Sequence, residues 1–104
     1  MRPDFPFNVV VLKKVENHMQ CQWHKDRRNV GDSLFAMMGD SGGGALELDD
    51  GRRFSEKYKW YRYNGAVTAH GVAPFSGERI TCVLYTEPPR TEAYELRSYG
   101  FRSL

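Results

Sequence analysis

Short apolar runs punctuated by turn residues fill most of the chain, and several alternate with a period of two, the period at which side chains of an extended backbone share one face. The pattern predicts strands over 7–15, 18–24, 33–38, 45–48, 52–58, 60–63, 68–72 and 79–86. The segment 33–38 is apolar on both parities, as expected of a strand buried on both sides. Turn residues separate these runs: Gly39-Asp40-Ser41-Gly42-Gly43-Gly44, Asp49-Asp50-Gly51, Asn64-Gly65 and Ala73-Pro74-Phe75-Ser76-Gly77. Eight short strands so punctuated predict an all-β sandwich or jelly roll. Pro88-Pro89 interrupts the pattern, and a short helix is predicted over 91–99. Thr91 would be its N-cap, Glu92 would lie in its first turn and Gly100 just past its end. Tyr94, Leu96 and Phe101 could then cover an outer sheet face. No repeat, linker or low-complexity run divides the chain.

Composition narrows the classes. A chain of 104 residues is one domain, too short for a two-lobed enzyme or a TIM barrel. Fifteen Lys+Arg against thirteen Asp+Glu leave +2, too mild to imply a nucleic-acid or membrane partner. Cys21 and Cys82 are neither a disulfide framework nor a zinc site, and they fit a reducing compartment. The N-terminus has no secretory pattern, and the longest aliphatic run, Val9-Val10-Val11-Leu12, is far short of a membrane span. The expectation is a soluble, intracellular protein.

Chemistry concentrates in His24-Lys25-Asp26 and His70. In an extended segment His24 and Asp26 point to one side, while Trp23 and Lys25 face away. A remote histidine added to them gives two imidazoles and one carboxylate, a set that suits non-haem Fe(II) and leaves positions open. An H-x-D string is common by chance, and polar surface residues beside a turn would look the same. Downstream, Arg79 and Thr81 again share a strand face. A buried guanidinium with a neighbouring hydroxyl is a carboxylate receptor. The plainer alternative for Arg79 is a surface cation opposite Glu78.

Together these residues resemble the Fe(II)- and 2-oxoglutarate-dependent oxygenases, whose fold is the double-stranded β-helix, a jelly roll. The strings His24-Lys25-Asp26-Arg27-Arg28-Asn29-Val30-Gly31-Asp32-Ser33, Gly42-Gly43-Gly44-Ala45-Leu46 and His70-Gly71-Val72-Ala73-Pro74-Phe75-Ser76-Gly77-Glu78-Arg79 are similar to the branch that contains thymine and 5-methylcytosine oxidases. The resemblance implies that His24, Asp26 and His70 hold Fe(II), and that 2-oxoglutarate chelates it with its far carboxylate on Arg79 and Thr81. O₂ is the second co-substrate. Succinate and CO₂ leave as a substrate C–H bond is hydroxylated, the substrate being a nucleobase, a protein side chain or a small molecule. Asn29 would contact the co-substrate, fix the loop after Asp26 or serve as a plain turn residue. Family members usually carry buttressing N-terminal helices, whereas this chain begins almost at its first strand. An uncovered apolar sheet face would favour a homo-oligomer. A reading from another class is a non-catalytic jelly-roll module that binds metal or ligand.

Three further signals have plainer explanations. Gly39-Asp40-Ser41-Gly42-Gly43 spells a trypsin-like nucleophile motif, but the histidine follows the serine here and the chain is half the required length. His18 lies too far along the backbone from His24 to join one metal. Cations and aromatics interleave over 52–63, which suits either a nucleic-acid surface or, better, amphipathic strands with solvated cations. Arg27 and Arg28 would steer an anionic substrate or simply be solvated.

Overall fold

The computed structural model describes residues 5–18 and 22–88. They form eight strands: β1 (Val9–His18), β2 (Ser33–Gly39), β3 (Gly42–Gly43), β4 (Leu46–Leu48), β5 (Arg53–Phe54), β6 (Tyr61–Tyr63), β7 (His70–Val72) and β8 (Phe75–Tyr85). One sheet has the order β1-β8-β2-β6, with β3 also on β8; the second has the order β5-β4-β7. All pairings are antiparallel. No described residue is helical, and no helix long and apolar enough to cross a membrane is found among them.

The pairings nest around one turn. Gly51 donates its N–H to Leu48 O at Asp49-Asp50-Gly51 (3.1 Å). Outward from that turn β4 pairs with β5, β2 with β6, His24 with His70, and β1 with β8. The chain is therefore one long antiparallel hairpin wrapped on itself, and β8 against β2 and β7 against β4 are the seams of the wrap.

Register sets the core. Val11, Val83, Phe35 and Tyr61 form one row across the large sheet, facing the small sheet. Phe35 and Met37 pack with Leu46, Leu48, Phe54 and Tyr63 in one cluster drawn from both sheets. Phe54 stacks on Tyr61 at 4.4 Å and meets Tyr63 edge-on at 5.9 Å. The opposite parity puts Val10, Leu84 and Leu34 in a row on the outer face. Residues 33–37 of β2 are all buried, as the doubly apolar pattern predicts.

Several boundaries differ from the sequence reading. The expected strand over 18–24 is not formed as such. β1 runs on to His18, and beyond residues 19–21 only His24 makes a ladder contact, as an isolated bridge. The expected loop 39–44 contains β3. The expected turn 73–77 is largely strand: Phe75 and Ser76 pair with Gly43 and Gly42. Gly77, at φ 84, kinks β8 there, and its N–H is taken by Asn17 Oδ1 at the bulge in β1 (2.7 Å). The expected strand 52–58 shortens to β5 because Lys57 and Tyr58 turn back to the large sheet. Lys57 Nζ donates to the carbonyls of Gly39 and Ser41 (2.9 and 2.7 Å), and Tyr58, at φ 58, donates its N–H to Met37 O. The predicted helix 91–99 lies outside the described residues.

Met37 is the most deeply buried large side chain. Met37→Ala should cost about 2–5 kcal/mol of unfolding free energy, read by chemical denaturation; a loss below ~1 kcal/mol would mean that the two sheets do not share this core.

Candidate metal centre

The site begins as a backbone contact. His24 N–H donates to His70 O and His70 N–H to His24 O, both at 2.9 Å. Directly opposed residues of an antiparallel pair project to the same side. The two imidazoles accordingly lie 4.5 Å apart between centroids, tilted by 57°. Asp26, two residues on, shares that side. Its N–H is held by Gly65 O (2.8 Å), and its own carbonyl accepts from Asn29 N–H (3.0 Å), closing the turn after it. One ligand atom from each of His24, Asp26 and His70 falls within 4.8 Å of the others.

Hydrogen bonding fixes which ring nitrogens face inward. A carbonyl only accepts, so His70 Nδ1, 2.9 Å from Thr68 O, carries a hydrogen. His24 Nδ1 lies 3.2 Å from Gln22 O in the same way. Each Nε2 of a neutral ring then presents a lone pair, and both are directed at one carboxylate: His70 Nε2 to Asp26 Oδ2 at 3.1 Å, His24 Nε2 to Asp26 Oδ1 at 3.5 Å. Acceptors facing acceptors repel. The cluster requires a cation among them, either a proton or a metal ion. A backbone carbonyl orienting the remote nitrogen is the usual support of a metal-bound histidine.

The electrostatics agree. The hydrogen bond from His70 lowers the Asp26 pKa; burial opposes this, and the His70 and His24 charges add to it. Burial alone would depress His70, but the Asp26 hydrogen bond, the Thr68 carbonyl and the Asp26 and Asp49 charges outweigh it and raise the value. The metal-free pair thus favours imidazolium–carboxylate.

Tyr63 and Gly65 wall the site. The Tyr63 ring meets His70 edge-on at 5.3 Å, and its phenol is pushed far up by burial and by Asp26. A Cβ on Gly65 would fall 3.1 Å from His70 Cε1 and 3.2 Å from Asp26 Oδ2, so glycine keeps the ligand atoms clear. The sequence marks Asn64-Gly65 as a turn but contains no sign that the turn would touch the site. Exposure is graded: the side chains of His70, Asp26 and His24 are 4%, 39% and 56% exposed. The centre is buried on the β7 side and open on the other.

Arg79 and Thr81 lie on the inward row of β8, both buried, at 7% and 5% exposure. The Arg79 guanidinium sits 5.7 Å from the rings of both Phe35 and Phe75, and its Nε donates to Gly44 O at 2.8 Å. Gly44, at φ 82, allows this: a Cβ there would come within 2.9 Å of Arg79 Cδ and Nε. Glu78 pairs with Lys14 instead of with Arg79. Asn29 contributes its backbone to the turn; its side chain makes no hydrogen bond among the described residues. Ser41 is buried in the β2–β3 connection, and His70 is turned toward Asp26, so no nucleophile–base pair forms from the Gly-Asp-Ser-Gly-Gly string.

No protein-family model matches the chain, and neither the curated proteins nor the solved structures contain a match. The chemistry is accordingly read from the site's own atoms. The cation–aromatic stripe is explained by local pairing. Arg52 meets Asp50 (2.7 Å), Arg53 Glu47 (3.7 Å), Lys59 Glu56 (3.3 Å) and Arg62 Asp32 (2.6 Å). These cations are neutralised where they stand, as amphipathic strands predict.

The raised His70 value gives stability that is complete below 6.5 and lost as pH rises through its folded value. The lowered Asp26 value gives stability that is complete above 3.8 and lost as pH falls through its folded value. The metal-free protein should therefore exceed Asp26→Asn in Tm most between pH 3.8 and 6.5. A Tm difference independent of pH would contradict the pairing.

Proposed function

We propose that the protein is an Fe(II)- and 2-oxoglutarate-dependent oxygenase on a double-stranded β-helix, hydroxylating a C–H bond with release of succinate and CO₂. The observation that carries this reading is the convergence of two imidazole lone pairs and one carboxylate. That donor set matches the facial two-histidine, one-carboxylate set of non-haem iron. The nested pairing and the two facing sheets support the jelly-roll assignment, since a wrapped hairpin of eight strands is the form of that fold.

The residues fit the group and its co-substrate. His24, Asp26 and His70 would hold the metal. Arg79 would take the distal carboxylate of 2-oxoglutarate, with Thr81 beside it. A guanidinium already desolvated between two aromatic rings loses little further hydration on meeting an anion, and its fork geometry suits a carboxylate. Fe(II) with the keto acid supplies oxidative decarboxylation and C–H oxidation. The chain supplies orientation: Thr68 O and Gln22 O fix the tautomers, Gly65 O and Asn29 N–H fix Asp26, and Tyr63 keeps water from the buried side of His70.

The exposure of His24 and Asp26 favours a second reading, a jelly-roll module that binds metal or ligand without turnover. Anaerobic Fe(II) titration followed by 2-oxoglutarate separates the two. The oxygenase should develop a weak visible charge-transfer band and, with O₂, release succinate; iron bound without that band supports the module.

His70→Ala should abolish iron binding. Arg79→Ala should retain iron and raise the apparent Kd for 2-oxoglutarate at least ~30-fold, the equivalent of the ~2 kcal/mol or more that truncating a buried charge pair costs. Unchanged keto-acid affinity in that variant, measured by calorimetry, would remove Arg79 from the site.

A further inference from the structure

Tyr63 is buried to 5% exposure, yet its hydroxyl makes no hydrogen bond among the described residues. Burial and the Asp26 charge raise its pKa, with no hydrogen bond contributing. The hydroxyls of Ser33 and Ser41 are also without a partner there, but they are sealed from solvent, whereas that of Tyr63 is still reached by it. A phenol drawn out of water without a partner costs free energy in the empty protein. Phenylalanine would supply the same wall and the same stacking without that cost. The hydroxyl is therefore spare for the fold, and its use has to be sought in what binds beside it.

The ring is held rigidly and its edge reaches the triad. Tyr63 opposes Ser33 across the β2–β6 ladder and packs in the inward cluster with Phe35 and Phe54. Its ring meets His70 edge-on at 5.3 Å. The point where a Cβ of Gly65 would stand lies 3.1 Å from His70 Cε1, 3.2 Å from Asp26 Oδ2 and 3.2 Å from Tyr63 Cε2. Cε2 is bonded to the carbon that carries the hydroxyl. An imidazole, a ligand carboxylate oxygen and the polar end of Tyr63 thus surround one position that glycine leaves without a side chain. Asp26 Oδ2 is also the oxygen that faces His70 Nε2, so the phenol stands on the side of the ligand atoms. With both rings neutral, the atoms that the triad turns inward are all acceptors, and Tyr63 adds the donor that the set lacks.

We infer that Tyr63 is a ligand-binding residue of the metal centre, whose O–H donates to an oxygen atom of a carboxylate-class ligand taking the metal's open positions. A carboxylate that binds a metal through one oxygen lone pair keeps others able to accept, and a hydrogen bond to a charged acceptor is stronger than one between neutral groups. The inference rests on the metal-centre reading of His24, Asp26 and His70. It is separate from the role given to Arg79, which concerns a distal carboxylate.

The test loads the full chain and its Tyr63→Phe variant with Co(II) and titrates each with oxalate, followed by visible absorption. Oxalate chelates through both of its carboxylates and leaves none for Arg79. Co(II) should bind both proteins equally, because the phenol is not a metal ligand. Oxalate should bind Tyr63→Phe at least ~tenfold more weakly, the loss expected of one hydrogen bond to a charged acceptor. Pyridine, which offers the metal one nitrogen and no further acceptor, should bind both proteins equally. The Tm of metal-free Tyr63→Phe should equal or exceed that of the unaltered chain, since the substitution keeps the ring and removes only a hydroxyl without a partner. Failure of oxalate to bind the loaded chain, equal oxalate affinity in the variant, an equal loss for pyridine, loss of Co(II) in the variant or a fall in Tm of more than ~4 °C would each overturn the inference and leave the metal centre standing. No Co(II) binding by the unaltered chain would defeat the metal centre and this inference together.

Discussion

Antiparallel nesting about Asp49-Asp50-Gly51 is the constraint on which the rest depends. A hairpin brings successive residues of its two arms together outward from its tip. Once β4 and β5 close around that turn, the order of the further pairings follows, while their register shifts where the arms loop out. His24 and His70 meet although His24 stands further from the tip along the chain than His70, because the extra residues of the first arm are taken up between the paired segments; the bridge between them is reciprocal. Wrapping then gives the hairpin an inside. β8 comes against β2, β7 against β4, and the inward rows of both sheets bury one another's aromatics.

The same geometry creates an electrostatic demand. Carbonyls two residues upstream of each histidine claim the outer nitrogens, so the inner nitrogens can only present lone pairs to Asp26. In the metal-free chain a shared proton meets that demand, which is why His70 is raised and Asp26 lowered despite desolvation. A divalent cation would meet it with three donors at once. Arg79 is the complementary case: a cation held between two rings, with one carbonyl on its Nε and a glycine making room for it. The triad carries its own compensating charges, whereas the Arg79 cation lies buried against Phe35; of the other ion pairs, Lys14–Glu78, Arg28–Glu87 and Arg62–Asp32 join distant parts of the chain.

Much of this was legible from residue order. Strand-like patterning locates most of β1 and β8, and the doubly apolar 33–38 run identifies β2 as a strand covered on both faces. The spacing of His24 and Asp26 puts both on one side of an extended segment. Less was legible where strands are two or three residues long. Gly42-Gly43 pairs with β8 through backbone alone, so no side-chain pattern marks it. Gly77 reads as a turn and is a kink within β8. The alternation over 52–58 persists in sequence although Tyr58 leaves the sheet, because the same parity serves to anchor Lys57 on the carbonyls of Gly39 and Ser41.

What the sequence alone determined is the all-β class, the approximate places of its long strands and the residue types able to hold a metal or a carboxylate, because side-chain parity is a local property of an extended backbone, whereas where each strand starts and stops depends on its partners. What only the tertiary structure decided is which of those residues meet. The bridge from His24 to His70, the selection of Nε2 by two backbone carbonyls and the glycines that clear Asp26 and Arg79 all involve partners distant in the chain or atoms common to every residue. Contacts made by backbone atoms, or by the absence of a side chain, leave no residue-type signature; folding has to bring them together before they exist.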